Sequence, residues 1–551
     1  KSSKAINPVV VEQVGHTNPN PNDSDDDKNP TTSGVMWHMP DYKWGQPKTC
    51  INLRLWCPSL IGNSSSAQSF VLADIYNSMM DELLNEQLYY ASCAMLRFNI
   101  TVERGAITLK LRGYSHKIQL LLTLVLAEMK KIGTPGNCDE GIFHRVKEHQ
   151  LKNYKNLGIF ATPTTLVVRC ISECMLEPMF TPMEKYRILQ SLTLAQFEHF
   201  ASSLVAEPLE DGSGGGVGVH AECFCFGNIT EAETKDLLHN SIASTLKFTP
   251  LPLSERFKPV VRIVSLADKK QYIARRHCKQ FDPEQRNSAI ENSYFVNDIN
   301  AFVQTVQERI GMDHCEPLIV TEAMVTLLSH VMHEDAFNQL RTIEQLGYIV
   351  YVGQSNFEHK FYLRVIIQSS VLDAAGLDGR IESFLRTWYK SFLCDDDEDY
   401  SDIEIKKEEG EEGEEGEEGP SVPKLADPDV FQTYIESLCD QLLEPPVSFS
   451  EEFHYAYNEI SSCRYTFDRK EKIAAFLRKI NFDDLKTFFN LYIRATNDTK
   501  QNGQYRCKFS SQFFGKGTEM PANDDPNVTY ISSASEFKSD HHLEKAIFLR
   551  K

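Results

Sequence analysis

One offset constrains this chain more than any other feature. Shifted by 252 positions, Gln87-Leu88 falls on Gln339-Leu340 and Leu111-Arg112 falls on Leu363-Arg364, without a gap from a helix through the hairpin after it. In the earlier copy Val71, Leu72, Ile75, Met79, Leu83 and Leu84 recur at three- and four-residue steps, predicting a helix over Ala67–Tyr89. Strands are expected at Thr49–Leu55, Arg97–Val102 and Ala106–Tyr114, the last two a hairpin across Glu103-Arg-Gly. The later copy offers a strand-rich stretch over Val260–Val306 and a helix over Leu318–Leu340. A strand entered at about Leu346, a turn at Gln354–His359, a strand over Lys360–Gln368 and a helix over Leu372–Phe392 follow. The shared order points to one fold used twice.

At 551 residues the chain is too long for one core, and two domains are expected. Residues 1–34, rich in Pro, Asn and Asp, read as a linker or arm. Residues 35–257 and 258–551 read as the domains, with the boundary at the prolines of Pro250–Pro259. Each is expected to be α+β, with helices packed on one face of a largely antiparallel sheet. Ala206–Val217 reads as a surface loop. Helical pattern also covers Asp139–Asn156, Pro163–Met175, Asp429–Leu443 and Arg469–Thr496.

The formal charge of −20 is unevenly spread. Cys394–Gly419 holds 15 acidic residues and 2 lysines, so 13 of those charges lie in one tract. Such a tract repels itself and has no apolar face, so residues 394–420 read as a disordered insertion in the second domain. No basic stripe appears elsewhere, which argues against a nucleic-acid partner. No apolar run approaches the ~18 residues of a membrane span, so no membrane is expected. Fourteen cysteines lack framework or zinc-finger spacing and read as reduced thiols, consistent with a cytoplasmic setting. Lys1 opens no signal-peptide pattern, and the chain reads as a fragment or processed piece.

At the second helix-to-strand junction, Arg341 and Tyr348 flank one turn. By residue chemistry alone Arg341 is a cation near a helix C-terminus, paired with Glu344. Tyr348 is then a half-buried strand aromatic and Gly347 a bulge glycine. The run NQLRTIEQLGYIV at 338–350 resembles a segment of the insulinase (pitrilysin) family of zinc metallopeptidases. Gln46-Pro-Lys-Thr-Cys-Ile-Asn-Leu resembles the first strand of that family's third domain, and Gly227-Asn-Ile-Thr a strand end near the close of that domain. Tyr465-Thr-Phe-Asp-Arg resembles part of the fourth.

The resemblance implies the C-terminal half, third and fourth domains, of a clamshell metalloendopeptidase. Its zinc would be bound by His-x-x-Glu-His and a further Glu in an N-terminal half, the partner of this one. Arg341 and Tyr348 would then face a chamber, binding peptide substrate and contacting the scissile carbonyl. A homodimer of the full-length enzyme is also allowed. The alternative is an inactive scaffold or partner subunit of the same fold. This chain itself is expected to hold no metal. His144 and His149 stand five apart, about 140° around a helix rather than on one face. His330 and His333 share a face with Glu334, but the Glu follows the second His and no downstream carboxylate completes a set. In the first copy Tyr89 and Leu96 stand where the second has Arg341 and Tyr348, so only the second keeps the polar pair.

Overall fold

The computed structural model describes residues 7–14, 34–60, 66–103, 105–159, 161–204, 220–243, 261–267, 269–311, 316–393, 425–495 and 506–545. The acidic tract, the Ala206–Val217 loop and the Pro250–Pro259 boundary lie outside them.

The first unit runs β1 (Val9–Val14), β2 (Gly34–Pro40), β3 (Lys48–Trp56), α1 (Ala67–Cys93), β4 (Arg97–Glu103), β5 (Ala106–Tyr114) and α2 (Ser115–Ile132). It continues through α3 (Glu140–Ile159), α4 (Pro163–Met175), β6 (Leu176–Glu177), α5 (Pro182–Ser191), α6 (Leu194–Ser203), β7 (His220–Gly227) and α7 (Glu231–Asp236). The second runs β8 (Arg262–Val264), β9 (Gln271–His277), β10 (Ser288–Phe295), α8 (Asn300–Ile310), α9 (Pro317–Ala336), β11 (Ile349–Phe357), β12 (Lys360–Ser369) and α10 (Ala374–Phe392). After it come α11 (Pro428–Leu443), α12 (Phe449–Ser461), α13 (Arg469–Leu477), α14 (Phe482–Tyr492), β13 (Cys507–Phe514), β14 (Val528–Tyr530), α15 (Ala534–Asp540) and β15 (Leu543–Lys545).

Two six-stranded sheets carry the fold, ordered β1-β2-β7-β3-β5-β4 and β14-β9-β13-β10-β12-β11. They correspond strand for strand. β2 and β7 are parallel, as are β9 and β13, and the inner neighbours are antiparallel in both. Only the outermost strands differ, β1 running antiparallel to β2 and β14 parallel to β9. Leu111 pairs with Ile51, and Leu363 pairs with Tyr294 at the matching place. Leu88 and Leu340 are both buried at their helix ends. The copies fall out of register before the helix, because α8 occupies part of the stretch expected to be strand-rich.

Each sheet packs one face on its own unit's helices. Val71, Ile75, Met79 and Leu84 of α1 meet Ile51, Leu53, Leu109 and Leu111. Val320, Met324 and Leu328 of α9 meet Ile290, Leu363, Val365 and Ile367. The opposite faces are covered by an exchange. Helix α4 of the first unit lays Leu166, Val167, Cys170 and Ile171 on Tyr272, Phe509 and Phe513 of the second sheet. Helix α12 of the second lays Phe449, Phe453 and Ile460 on Cys50, Phe224 and Phe226 of the first. Phe453 stacks on Phe224 with centroids 5.4 Å apart, and Phe449 meets Phe226 at 4.6 Å. Polar ties close the exchange. Arg54, 1 % exposed, donates to the Ile460 carbonyl and faces Glu222 at 3.6 Å, and the Tyr465 hydroxyl donates to the same Glu222 at 2.8 Å.

Several elements depart from the sequence reading. The 1–34 leader contains strand β1. The Arg469–Thr496 helix is two helices, because Asn481 caps α14 through a reciprocal box with Asp484. Helices α5, α6 and α12 were not expected. Among the described residues no single helix is long and apolar enough to cross a membrane.

Candidate functional site

The site is built where α9 ends. Past Ala336 the helix widens into a π-helical turn over Phe337–Ile343, so it does not stop at Leu340 as the periodicity predicts. Single π turns recur where a helix must re-aim side chains. Gln345 at φ 50° then reverses the chain, and the Leu346 N–H donates to the Leu340 carbonyl at 3.1 Å. The ladder with β12 starts at Ile349, one residue after Tyr348.

Gly347 is not in a bulge. The pairing of β11 with β12 is unbroken, and a Cβ on Gly347 would sit 1.9 Å from the Gln368 carbonyl oxygen. Glycine is required there by the close approach of two backbones.

Arg341 does not pair with Glu344. That carboxylate is held by both arms of Arg380 from α10, at 2.7 and 2.6 Å, and by the Gln339 amide at 2.9 Å. Burial pulls the Glu344 carboxyl upward, but the Arg380 fork and the Gln339 amide outweigh it and leave it below the ordinary value. Arg341 instead lies between two rings. Its guanidinium carbon is 4.6 Å from the Phe337 centroid and 4.7 Å from that of Tyr348. Tyr348 is 83 % exposed, and among the described residues Arg341 has no carboxylate partner. The junction thus presents a cation and a phenol hydroxyl to solvent, with the backbone fixed beneath them.

Phe337 escaped the sequence reading, though its spacing of four from Arg341 on a helix was a usable signal. The first unit lacks the arrangement. Tyr89 stands in place of Arg341, 61 % exposed, with its ring edge-on to Tyr90 at 5.5 Å.

The histidines do not converge on a metal site. His144 faces Glu140 at 3.5 Å on the surface of α3, and His149 contacts Asn153. His330 lies against the Tyr434 ring, while Nδ1 of His333 meets the Val352 carbonyl of β11 at 3.1 Å. No group of three or more His, Cys, Asp or Glu side chains among the described residues is arranged to hold an ion. These residues do not fit a zinc site.

Two family profiles match the sequence. The one described as the middle or third domain of peptidase M16 covers residues 20–188, and the one for the C-terminal lobe domain 4 of a PqqF-like PQQ synthase covers residues 327–404. Insulin-degrading enzyme-like 1, peroxisomal, of Arabidopsis thaliana is 24% identical over 497 residues, 90% of this chain and 44% of that protein. The Homo sapiens insulin-degrading enzyme is 24% identical over 527 residues, 92% of this chain and 44% of its own length. The chain thus spans less than half of these relatives. Among solved structures, pitrilysin aligns with a TM-score of 0.72 and 16% identity, over 99% of this chain and 47% of pitrilysin.

Proposed function

Because this chain belongs to the insulinase–pitrilysin (M16) family, we propose that it is the C-terminal half of an enclosing metalloendopeptidase, supplying the peptide-binding side of the active site. The order of the two profile matches, third domain then fourth, supports that placement. The observation that carries the reading is the Phe337–Arg341–Tyr348 stack. It is a half-buried cation beside an exposed phenol, held by ring contacts and by a helix end that Arg380 and Glu344 fasten.

A bound extended peptide offers carbonyl oxygens, and hydrolysis builds negative charge on one of them. Tyr348 supplies an O–H donor aimed from a fixed strand start. Such a donor is worth more as the charge grows than before, and so it raises rate rather than affinity alone. Arg341 grips a neighbouring carbonyl with N–H donors that no carboxylate among the described residues competes for. Zinc belongs to the other half, and no step is assigned to a metal held by these residues. The compartment stays open, since one relative is peroxisomal by name.

The test joins this chain to a zinc-bearing N-terminal half and follows cleavage of a quenched fluorescent peptide. Tyr348→Phe should lower kcat about 10²- to 10³-fold with an unchanged melting temperature. Arg341→Ala should raise KM as well as lower kcat. Full activity in the Phe variant, or loss only in step with unfolding, would leave a scaffold subunit as the better reading.

A further inference from the structure

The first unit has its own free edge, and its surroundings are chemically distinct. On the face turned away from α1, the ladder lines up Cys50, Arg112 and Arg97 in one row and Asn52, Lys110 and Asn99 in the next. Helix α12 covers this face over β7 and β3 with Phe449 and Phe453, and beyond it Ala106 and Thr108 of β5 are buried while Lys110 and Arg112 of β5 are half-buried and Arg97 and Asn99 of β4 are exposed. A cavity of about 300 Å³ remains there, where His454 and Tyr457 of α12 face Arg97, Lys110 and Arg112. Among the described residues no carboxylate lines it. Arg112 leans on the Phe453 ring at 5.9 Å, and neither Arg97 nor Arg112 has an ion pair among the described residues. A chain of net charge −20 therefore concentrates cations at one strand edge.

That edge is β4, the last strand of its sheet. Glu103 and Ala106 close the two-residue connection to β5, so the odd-numbered residues of β4 turn their backbone groups toward β5. Phe98, Ile100 and Val102 then present N–H and C=O groups outward. The register is continuous and the strand holds no proline, so neither a bulge nor a proline interrupts the edge.

We propose that β4 and its cationic cavity form a docking site for an extended acidic peptide segment, which adds to the sheet as a seventh strand and places alternate Asp or Glu side chains among Arg97, Lys110 and Arg112. A strand added ~4.8 Å beyond β4 directs every second side chain to one face, the face that carries Arg97 and Asn99. A compact anion would use the cations but not the strand edge, so the pairing of the two favours peptide. The inference rests on the reading that this chain handles peptides, and names an acidic segment of the substrate held apart from Arg341 and Tyr348.

The test is binding alone, by fluorescence anisotropy, with the full chain and a labelled twelve-residue peptide of alternating Glu and Val. The Arg97→Glu, Lys110→Glu double variant should weaken binding at least about tenfold. N-methylation of alternate peptide nitrogens, which removes strand donors and keeps every charge, should weaken it by a similar factor. The charge-matched Lys152→Glu, Lys155→Glu variant, at exposed positions of α3, should leave binding unchanged. Equal affinity for the N-methylated peptide, or full displacement by an equal concentration of tripolyphosphate, would overturn the proposal in favour of a simple anion pocket. Because no cleavage is measured, binding persists even if Arg341 and Tyr348 prove inert, and its loss says nothing against their role.

Discussion

Glu382 shows how single residues hold the second unit together. It projects from α10 onto the second sheet and accepts from Arg506 at 2.6 and 2.8 Å, from Lys508 at 2.8 Å and from the Tyr294 hydroxyl at 3.0 Å. Lys508, 2 % exposed, also reaches Asp378 at 2.6 Å. Burial alone would raise the Glu382 carboxyl, but the two cations outweigh it and hold it well below the carboxylate range. A depressed folded-state value gives stability that is complete above the unfolded value of about 4.3 and fades as pH falls below it. Glu382→Gln should therefore cost about 3 kcal/mol at pH 7, and the gap from the parent should narrow below about pH 4. Urea melts at pH 7 and in acid check this; a constant gap would mean that packing, not charge, is lost. Sequence reading could find Arg341 and Tyr348, which lie seven apart on one junction. It could not find Glu344 with Arg380 or Glu382 with Arg506, because only the folded sheet brings those partners together.

Among elements, the junction of α9 with β11 depends on a backbone contact no side chain advertises. Gly347→Ala would drive a Cβ into the Gln368 carbonyl oxygen, an atom that moves only with strand β12. The substitution should cost about 1–3 kcal/mol and shift Tyr348 away from Arg341. In the joined enzyme, peptide cleavage should fall further than the melting temperature accounts for. An alanine variant with parental rate and stability would show that the junction relaxes freely. Periodicity found helix α9 and the hairpin because apolar spacing encodes them. It misplaced the helix end, since a π turn keeps the apolar pattern and changes only which carbonyl each N–H meets. The break between α13 and α14 was encoded, by Asn481 and Asp484, in a capping box the periodicity overrode.

For the whole molecule, the repeat was legible from Leu88, Leu111 and their partners 252 residues on. The exchange of α4 and α12 was not, because α4 reads as an ordinary amphipathic segment of its own unit, α12 was not read as a helix at all, and only the far sheet shows what each one covers. The first unit expressed alone, residues 34–243, should leave Phe224 and Phe226 bare, together with the apolar face of α4. It should bind a hydrophobic dye and aggregate, and the second unit supplied in trans should relieve both. A monomeric, cooperatively melting piece that ignores the dye would show the exchange to be dispensable. The same lacing sets the mechanics of the chain. A hinge between the sheets would have to strip α12 from one and α4 from the other, so bending is resisted by interlocked rings rather than by a linker. In the enclosing enzyme proposed above the chain would act as a stiff body, and the compliance needed to admit a peptide would reside in its seam with the other half.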